Sequence, residues 1–530
     1  MDDPKIVYSA PDRLEGTLAE IQSLGADRIR VSVFWSLVAP APRETERPFG
    51  EGGGADPRNY SAEKWDRYDA IVTTAQRLGL KLLFNLTGPA PYWATGTPPD
   101  PPPRRDIKGT FRPSAEEFKD FVTAVATRYS GSFADEAAQQ RSGASLFQDD
   151  CLPTPNIPLP PAVCPPEGED PGPTNPNPPN TGPVLPRVDS WSFWNEPNIP
   201  GWLTPQWHEN DSALPAAPHI YRALADAGYS ALQETGHGSD MMLIAETAPR
   251  GTRGRSVTSG FTPLRFVREL YCLDKNFRHY TGTAASRRDC PEGGGGFAAA
   301  HPVLFNARGF AHHPYSFLTA PGVSDRARDH AVLADLDRLT QTLDTVFKRH
   351  GSTRRIPIWI TEYGYQTDPP DPYTGWSWKR HASYLAHAEW LGYRRHRVKS
   401  SAQFLLYDDR PIVEFPPSDP RHWGTFQTGL RTYEGKRKKA YRGYQRTIHV
   451  QRYGRRRKTM VFGLYRPATS RRPARVRYKR KGSKRWLTVR KARTNRAGFM
   501  RVRLKRRPPG AYRIVFRTGN GRVQTRKVIR

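Results

Sequence analysis

The chain of 530 residues has no long hydrophobic run and only four cysteines and five methionines. No stretch approaches the roughly 20 apolar residues that span a bilayer, which excludes a transmembrane protein. The N-terminus, MDDPKIVYSA, has neither a basic segment nor an apolar one, so no signal peptide is visible. Hydrophobic residues nevertheless make up 37% of the chain and aromatic residues 11%, which allows a sizeable core and excludes a wholly disordered protein.

Acidic residues are missing from the last part of the chain. Residues 436–530 contain 36 of the 82 lysines and arginines and no aspartate or glutamate. The remaining residues carry 46 basic against 51 acidic side chains, a net charge of −5 in a chain whose total is +31. The positive charge therefore belongs to the tail alone, and we expect two parts with different partners.

Residues 1–435 alternate helical segments with short apolar runs. Continuous apolar runs indicate strands buried on both faces, and helices between such strands indicate an α/β barrel or a doubly wound sheet. Polar groups at the ends of several strands favour the eight-stranded TIM (β/α)8 barrel, and the Gly-rich turn of a nucleotide-binding fold is missing. The seven predicted strands are RIRVSVFW, KLLFNLTG, VDSWSFWNEPN, MMLIAETAP, FNARGFAHHPY, IPIWITEYG and SAQFLLYDD.

An eighth strand has to come from the N-terminus, where two interpretations are open. In the first, the chain starts inside or just after a truncated first strand, and Asp2 and Asp3 are the remains of its end. A truncated start also explains the missing export signal. In the second, residues 5–9 form a short first strand of their own.

A Pro-rich insertion, residues 131–186, precedes the fourth predicted strand. From Cys151 onward it holds 14 prolines in 36 residues, which predicts an extended surface loop or disorder. Cys151 and Cys164 are close together in this loop, and Cys272 and Cys290 flank a second, Gly-rich loop. Two such pairs indicate two disulfides and a secreted or cell-surface protein; four free thiols in a cytosolic protein are the alternative.

Two glutamates follow apolar strands, Glu196 in WNEPN and Glu362 in ITEYG. Hydrolysis of a glycosidic bond requires two carboxyl groups, one protonated and one ionised. Aromatic neighbours along the sequence predict a raised pKa for Glu196, and Arg30 and Tyr315 are candidates to keep Glu362 ionised. The alternative for Asn-Glu-Pro alone is a helix start, where proline and acidic residues are favoured.

Residues 12–407 resemble retaining glycoside hydrolases of clan A, especially its β-xylosidase-like and cellulase-like families, on WNEPN and ITEYG. The resemblance implies that Glu196 is the acid/base and Glu362 the nucleophile. It also implies substrate-binding roles for four further residues. Arg30 matches the family's strand-two arginine, and Asn195 matches the asparagine that binds the sugar 2-hydroxyl. His313 and Tyr315 match the strand-six His-x-Tyr.

The sequence departs from that family at two positions that affect the substrate more than the chemistry. The usual strand-three histidine is replaced around Asn85, and the usual strand-eight tryptophan is absent from QFLLYDD, where Tyr407 is the nearest substitute. Tyr407, Trp35, Trp93 and Trp202 are candidate sugar platforms because a ring face matches the apolar face of a pyranose. The alternative is that these rings are simply packed.

Other interpretations of the site stay open. His312 is the alternative to His313, and Arg30 is either functional or a structural ion-pair partner. No metal-ligand spacing such as His-Glu-x-x-His, no nucleophile elbow and no phosphate loop is present, so no metal or cofactor is predicted.

The tail is predicted to be a basic linker, residues 436–458, followed by a small β-sandwich, residues 459–530, with a cationic outside. It resembles the immunoglobulin-like accessory domains of many exported hydrolases. The expected partner is an anionic cell-wall polymer or an acidic polysaccharide rather than nucleic acid, and a basic spacer without a partner is the alternative.

The sequence therefore predicts a retaining glycoside hydrolase that cleaves β-glycosidic bonds of a poly- or oligosaccharide. The alternative function is a surface adhesin that binds glycans without turnover and is anchored by its basic tail. Two intact glutamates argue against the adhesin, because binding alone does not need both.

Overall fold

Strands and helices alternate through the first three quarters of the chain, and strands alone follow residue 446. A computed structural model describes residues 1–9, 11–103, 107–134, 184–455, 458–466, 468–519 and 521–530. Its strands are β1 (Arg28–Phe34), β2 (Lys81–Thr87), β3 (Ser190–Phe193), β4 (Trp207–His208), β5 (Asp211–Pro215), β6 (Met241–Thr247), β7 (Gly309–His312), β8 (Ile358–Ile360), β9 (Thr367–Asp368), β10 (Trp376–Ser377), β11 (Val398–Ser401), β12 (Arg446–Tyr453), β13 (Lys458–Tyr465), β14 (Pro473–Arg480), β15 (Leu487–Arg493), β16 (Phe499–Leu504), β17 (Gly510–Thr518), β18 (Gly521–Gln524) and β19 (Val528–Ile529). Its α-helices are α1 (Pro11–Ser23), α2 (Trp35–Val38), α3 (Ala62–Arg77), α4 (Ala115–Arg128), α5 (Ala217–Glu234), α6 (Pro263–Leu270), α7 (Gly282–Ser286), α8 (Phe297–Ala300), α9 (Pro302–Asn306), α10 (Leu336–Arg349), α11 (Trp378–Tyr393) and α12 (Lys439–Gln445).

Seven strands form one parallel sheet in the order β1-β2-β3-β6-β7-β8-β11. The residues of β1, β2 and β6 are nearly all buried, as continuous apolar runs predict for strands covered on both faces. Helices lie between successive strands along the chain, which is the arrangement of a TIM-like barrel. The first six predicted strands are thus present in the predicted order. The seventh was predicted at residues 401–409, but the observed strand is Val398–Ser401 and shares one residue with that run.

The N-terminal residues close this sheet. Asp2 forms parallel bridges with Arg30 of β1 on one side and with Phe404 on the other. The backbone N–H of Leu405 also donates a hydrogen bond of 2.7 Å to the carbonyl of Asp2. Asp2 therefore lies in the position of a first strand, between β1 and residue 404. The strand expected at residues 5–9 is not formed, because Pro4–Tyr8 is a 3₁₀ helix.

Two antiparallel sheets form the C-terminal part, one in the order β12-β13-β16 and one in the order β15-β14-β17-β18 with β19 beside β17. Their facing sides share a core that includes Val476 and Ile514. Apart from β12, these strands lie in the region for which a small all-β domain is predicted. Residues 436–458, expected to be a linker, instead contain α12 and β12, because Ile448 and Val450 of β12 are buried in the same core.

The C-terminal part packs directly on helix α11 of the barrel. The Trp390 ring lies 5.5 Å from that of Phe462, and the Tyr393 ring lies 4.9 Å from that of Phe499. Beside these rings, Arg466 donates a hydrogen bond of 2.6 Å to a Glu389 carboxylate oxygen. Apolar contact and a salt bridge thus hold the two parts together.

One of the two predicted disulfides is observed. Cys272 and Cys290 are bonded, with their Cα atoms 5.7 Å apart. Cys151, Cys164 and most of the Pro-rich insertion lie outside the described residues. Among the residues that the structure describes, no helix is long and apolar enough to cross a membrane.

Candidate active site

Charged and polar side chains from several barrel strands meet at the end of the barrel where the parallel strands terminate. Such convergence is the usual basis of a site in this fold. The charged cluster consists of six side chains, contributed by the N-terminus and by β1, β3, β6, β7, β8 or the residues that follow them: Asp2, Arg30, Glu196, Glu246, His313 and Glu362.

The backbone around Glu196 is bent sharply at the end of β3. Trp194 and Glu196 have positive φ angles of 59° and 37°, which cost about 1–3 kcal/mol each in residues other than glycine. The Glu196 N–H donates to the Glu246 carbonyl (3.0 Å), and the Asn198 side chain accepts from the Ala248 N–H (2.9 Å). These bonds fix the strained turn and bring the Glu196 carboxyl into the cluster.

Arg30 connects most members of the cluster. One terminal nitrogen donates to Asp2 (2.8 Å) and to Glu362 (3.1 Å), and the other donates to Asn195 Oδ1 (2.6 Å). Its Nε lies 3.4 Å from Glu246 Oε1. A buried guanidinium with this many acceptors is rigid, so Arg30 fixes the positions of the groups around it.

His313 bridges carboxylates through both ring nitrogens. Nδ1 lies 2.9 Å from Glu196 Oε1 and 3.6 Å from Glu362 Oε2, and Nε2 lies 2.9 Å from Glu246 Oε2. Burial lowers the pKa of His313, but these carboxylates outweigh it and raise the pKa to about 10. His312 is different: burial lowers its pKa to about 4, and its ring bonds to a threonine hydroxyl and a backbone carbonyl. Of the two histidines, His313 is therefore the one that contacts the carboxylates of Glu196 and Glu246.

Glu362 receives two stabilising contacts at its carboxylate. The Tyr315 hydroxyl donates to Oε2 (2.9 Å), and Arg30 donates to Oε1 (3.1 Å). Burial nevertheless raises the pKa of Glu362 to about 7, although His313 and Arg30 act to lower it. A carboxylate oxygen of Glu362 lies within 4.8 Å of one of Glu196, whose side chain is 19% exposed against 10% for Glu362.

The cluster has more carboxyl groups than cations. Among the described residues, its four acids form salt bridges with Arg30 and His313. Burial raises the pKa of Glu246, but Arg30 and His313 outweigh it and lower the pKa to about 2, so this carboxylate is ionised at neutral pH. Burial raises the pKa of Asp2 and raises that of Glu362 to about 7. Because a buried net negative charge is costly, the cluster takes up a proton near neutral pH.

The geometry of Glu196, His313 and Glu362 also has the spacing of a metal site, with one ligand atom from each within 4.8 Å of the others. A metal ligand must offer a lone pair, and metal-bound histidine is neutral. Both nitrogens of His313 face carboxylates, and its pKa is raised to about 10. The arrangement therefore fits a protonated imidazole better than a metal ligand.

A cavity of about 330 Å³ opens onto the cluster. Arg30, Asn195, Glu196, Tyr315 and Glu362 line it on the polar side. Its apolar wall consists of Phe34, Trp202, Phe317, Phe404 and Phe426, with the Trp202 ring stacked at 9° on that of Phe34. Apolar walls around a few convergent polar groups are typical of a small-molecule site.

Three residues predicted to contact substrate lie away from this cavity. Trp35 begins α2 and is fully buried, with its ring stacked on Phe121. Asn85 is also fully buried and donates to neighbours on β3 and at its end. The Tyr407 hydroxyl donates to Glu20 of α1. The predicted sugar contacts of Trp35, Asn85 and Tyr407 are therefore corrected, because their side chains are used in packing and hydrogen bonds elsewhere.

The aromatic environment expected for Glu196 is also different. Trp191, Phe193 and Trp194 are fully buried in the barrel core, and Trp202 alone of the expected rings lines the cavity. Sequence reasoning missed Glu246, although it stands at the end of an apolar run like the other site residues. It also missed Phe34, Phe404 and Phe426, for which no motif exists.

Known proteins resemble this chain in structure only. No model of a protein family matches it, and no curated protein sequence does. Similar solved structures include a family 39 glycoside hydrolase from Bacteroides cellulosilyticus WH2 (13% identity, TM-score 0.44, covering 93% of this chain and 76% of the other). They also include a family 1 β-glucosidase from Thermotoga maritima (12%, 0.43, 81% and 84%) and an endo-β-1,4-mannanase from Thermotoga petrophila (11%, 0.37, 100% and 96%). At these TM-scores the resemblance assigns no role to any residue.

Proposed function

We propose that this chain is a retaining glycoside hydrolase acting on β-glycosidic bonds of a poly- or oligosaccharide. The separation of the two glutamates carries the proposal. Their nearest carboxylate oxygens lie within 4.8 Å. Retaining enzymes hold their carboxyl groups about 5–5.5 Å apart, whereas inverting enzymes need about 6.5–9.5 Å to admit a water molecule.

Glu362 is the proposed nucleophile. One of its oxygens forms a bond to the anomeric carbon while the bond to the leaving oxygen breaks, and Glu196 donates its proton to that oxygen. The contacts of Glu362 with Arg30 and Tyr315 support this role, because both stabilise a carboxylate when the sugar departs. The side chain of Glu196 is more exposed than that of Glu362, which supports its role as the acid/base, because the leaving group and water must reach it.

The proton held by the cluster has to be on Glu196 when the reaction begins. The hydrogen bonds of Arg30 and Tyr315 to the Glu362 carboxylate favour its ionised form in the resting site. Positive charge that develops at the anomeric carbon stabilises this form further in the transition state. In the second step Glu196 removes a proton from water, the water oxygen bonds to the anomeric carbon, and Glu362 is released.

Sugar binding is assigned to residues beside the two glutamates. Asn195 Oδ1 accepts from Arg30 (2.6 Å), which orients the amide so that Nδ2 can donate to a sugar hydroxyl. Trp202 and Phe404 provide apolar surface for the ring face of a sugar. Carbohydrate is therefore the proposed substrate class.

The test is hydrolysis of a panel of aryl β-glycosides by the full chain. Glu362→Gln and Glu196→Gln should each lower kcat at least about 10³-fold on a substrate with a poor leaving group. The matched control is Glu209→Gln, which removes a partly buried carboxylate paired with Arg112 outside the cavity, and it should retain wild-type kcat. Glycan binding by the wild type without any turnover would contradict the proposal and favour the adhesin.

A further inference from the structure

One outer face of the sheet β15-β14-β17-β18 carries eight cationic side chains. Along β14, Ala474, Val476 and Tyr478 are buried, and the alternate residues face outward. Residues paired with them across the sheet continue the same face. We call this the cationic face, and its charged members are Arg475, Arg477, Lys479, Lys491, Arg493, Arg513, Arg517 and Arg522.

Like charges are paired directly across these strands. Arg477 is the partner of Arg513. Arg475 is likewise the partner of Lys491, and Arg517 is the partner of Arg522. Directly opposed side chains in a sheet have Cβ atoms about 4.5–5.5 Å apart, and like charges at that distance destabilise the sheet. The fold therefore maintains three repulsive pairs on one surface.

Among the described residues, no acidic group compensates this charge. Residues 436–530 contain no aspartate or glutamate, and none of the eight cations forms a salt bridge with a described residue. Burial, followed by the charge of Arg477, lowers the pKa of Arg513. The Nε atoms of Arg477 and Arg513 are buried without a hydrogen-bond partner among the described residues. The described residues therefore leave this surface without an anionic partner.

Trp486 organises the centre of the face. The Arg513 guanidinium lies 4.0 Å from the centre of the Trp486 ring, and Lys479 Nζ lies 5.8 Å from it. Arg477 also donates to the Trp486 carbonyl (3.0 Å). Cation–π contact keeps these cations ordered and close together despite their repulsion. Base stacking on the Trp486 ring would have to compete with this contact.

We propose that the cationic face binds an acidic polysaccharide laid along it. Cations repeat about every 6.8 Å along β14, and strands repeat about every 4.8 Å across the sheet. A linear polymer with an anionic group on successive sugars can meet such a surface at several points. Four strands span about 14 Å before side chains are added. A surface this wide does not enter the roughly 12 Å major groove of DNA, so a duplex would touch it only along its phosphates, whereas an extended polysaccharide can lie along the strands.

The test measures binding to the full chain at about 150 mM salt, with four probes: polygalacturonate, heparin, neutral dextran and a 20-base-pair DNA duplex. The face variant is Arg475→Gln/Arg477→Gln/Arg513→Gln. The matched control, Arg501→Gln/Arg503→Gln/Lys505→Gln, removes the same charge from exposed positions on and just after β16 of the other sheet. The face variant should weaken binding of an acidic polysaccharide at least about tenfold and flatten its salt dependence.

The control should change the dissociation constant less than about threefold, and dextran should not bind. Binding of polygalacturonate, of heparin or of both supports the proposal. Comparison of the two dissociation constants shows whether the face prefers carboxylated or sulfated polysaccharides. Equal losses in both variants, tighter binding of DNA than of either acidic polymer, or no binding would overturn it. Urea unfolding should place the midpoint of the face variant close to that of wild type, because the relief of repulsive pairs and the loss of the contacts with Trp486 act in opposite directions. None of these readouts needs turnover, so they are independent of the proposed hydrolysis.

Discussion

Replacing Glu246 by glutamine tests the electrostatics of the charged cluster separately from any reaction. The Glu246 side chain is fully buried; Oε2 lies 2.9 Å from His313 Nε2, and Oε1 lies 3.4 Å from Arg30 Nε. Burial alone would raise its pKa, yet Arg30 and His313 outweigh burial and lower the pKa from 4.5 to about 2. Glutamine keeps the shape of this side chain and removes its charge.

The size of the effect follows from that pKa difference. It corresponds to about 3 kcal/mol in the free energy of unfolding at pH 7. Because the folded pKa of Glu246 lies below its unfolded value of 4.5, the contribution is fully present above pH 4.5. It is lost progressively as the pH falls from 4.5 towards 2.

Urea unfolding of wild type and Glu246→Gln between pH 3 and 8, followed by tryptophan fluorescence, measures this contribution. The variant should be less stable by about 3 kcal/mol at pH 7, and the difference should narrow below pH 4.5. The exposed Glu51→Gln serves as control and should stay within about 0.5 kcal/mol of wild type. A difference below about 1 kcal/mol at pH 7, or one that stays constant down to pH 3, would refute the reasoning.

Other changes test the packing, the disulfide and the histidine. Trp390→Ala removes a 6% exposed ring that packs on Phe462, and it should lower the free energy of unfolding in urea by about 3–5 kcal/mol. A loss below about 1 kcal/mol would show that packing of Trp390 on Phe462 contributes little to stability. Cys272→Ser/Cys290→Ser opens a loop with a sequence separation of 18 and should lower the free energy of unfolding by about 3 kcal/mol. Reductant should lower the stability of wild type by the same amount. A wild type whose stability does not respond to reductant would contradict this. The folded pKa of His313, about 10, lies above its usual value of 6.5. The difference in free energy of unfolding between wild type and His313→Gln should therefore be full below pH 6.5 and shrink as the pH rises to 10. A difference that does not depend on pH would contradict this.

The barrel was predictable because its strands are continuous apolar runs separated by helical segments. For its closure the sequence left two interpretations open, because Asp2 contributes isolated bridges rather than a recognisable strand. The tail strands were predictable from their alternation. Strand β12 was missed because basic residues around Ile448 and Val450 made this segment look like a linker.

Part of the site was predictable because its residues stand where apolar runs end. Glu196, His313 and Glu362 were found in this way, and Glu246 carries the same signal. The direction of a side chain depends on local backbone geometry, which the sequence does not reveal. Trp35 starts a helix and turns into the core, and the pairing of β6 with β7 is irregular near Glu246. The apolar wall comes partly from residues outside the barrel strands, whose placement follows no motif.

Azide rescue tests the roles of the two glutamates most directly. Glu362→Gly and Glu196→Gly are each incubated with an aryl β-glycoside and sodium azide, and the anomeric configuration of the product is read by NMR. Loss of the nucleophile should let azide attack directly and give the α-glycosyl azide from Glu362→Gly, whereas Glu196→Gly should give the β-glycosyl azide through the intact covalent step. The α-product from Glu196→Gly, with none from Glu362→Gly, would contradict the account.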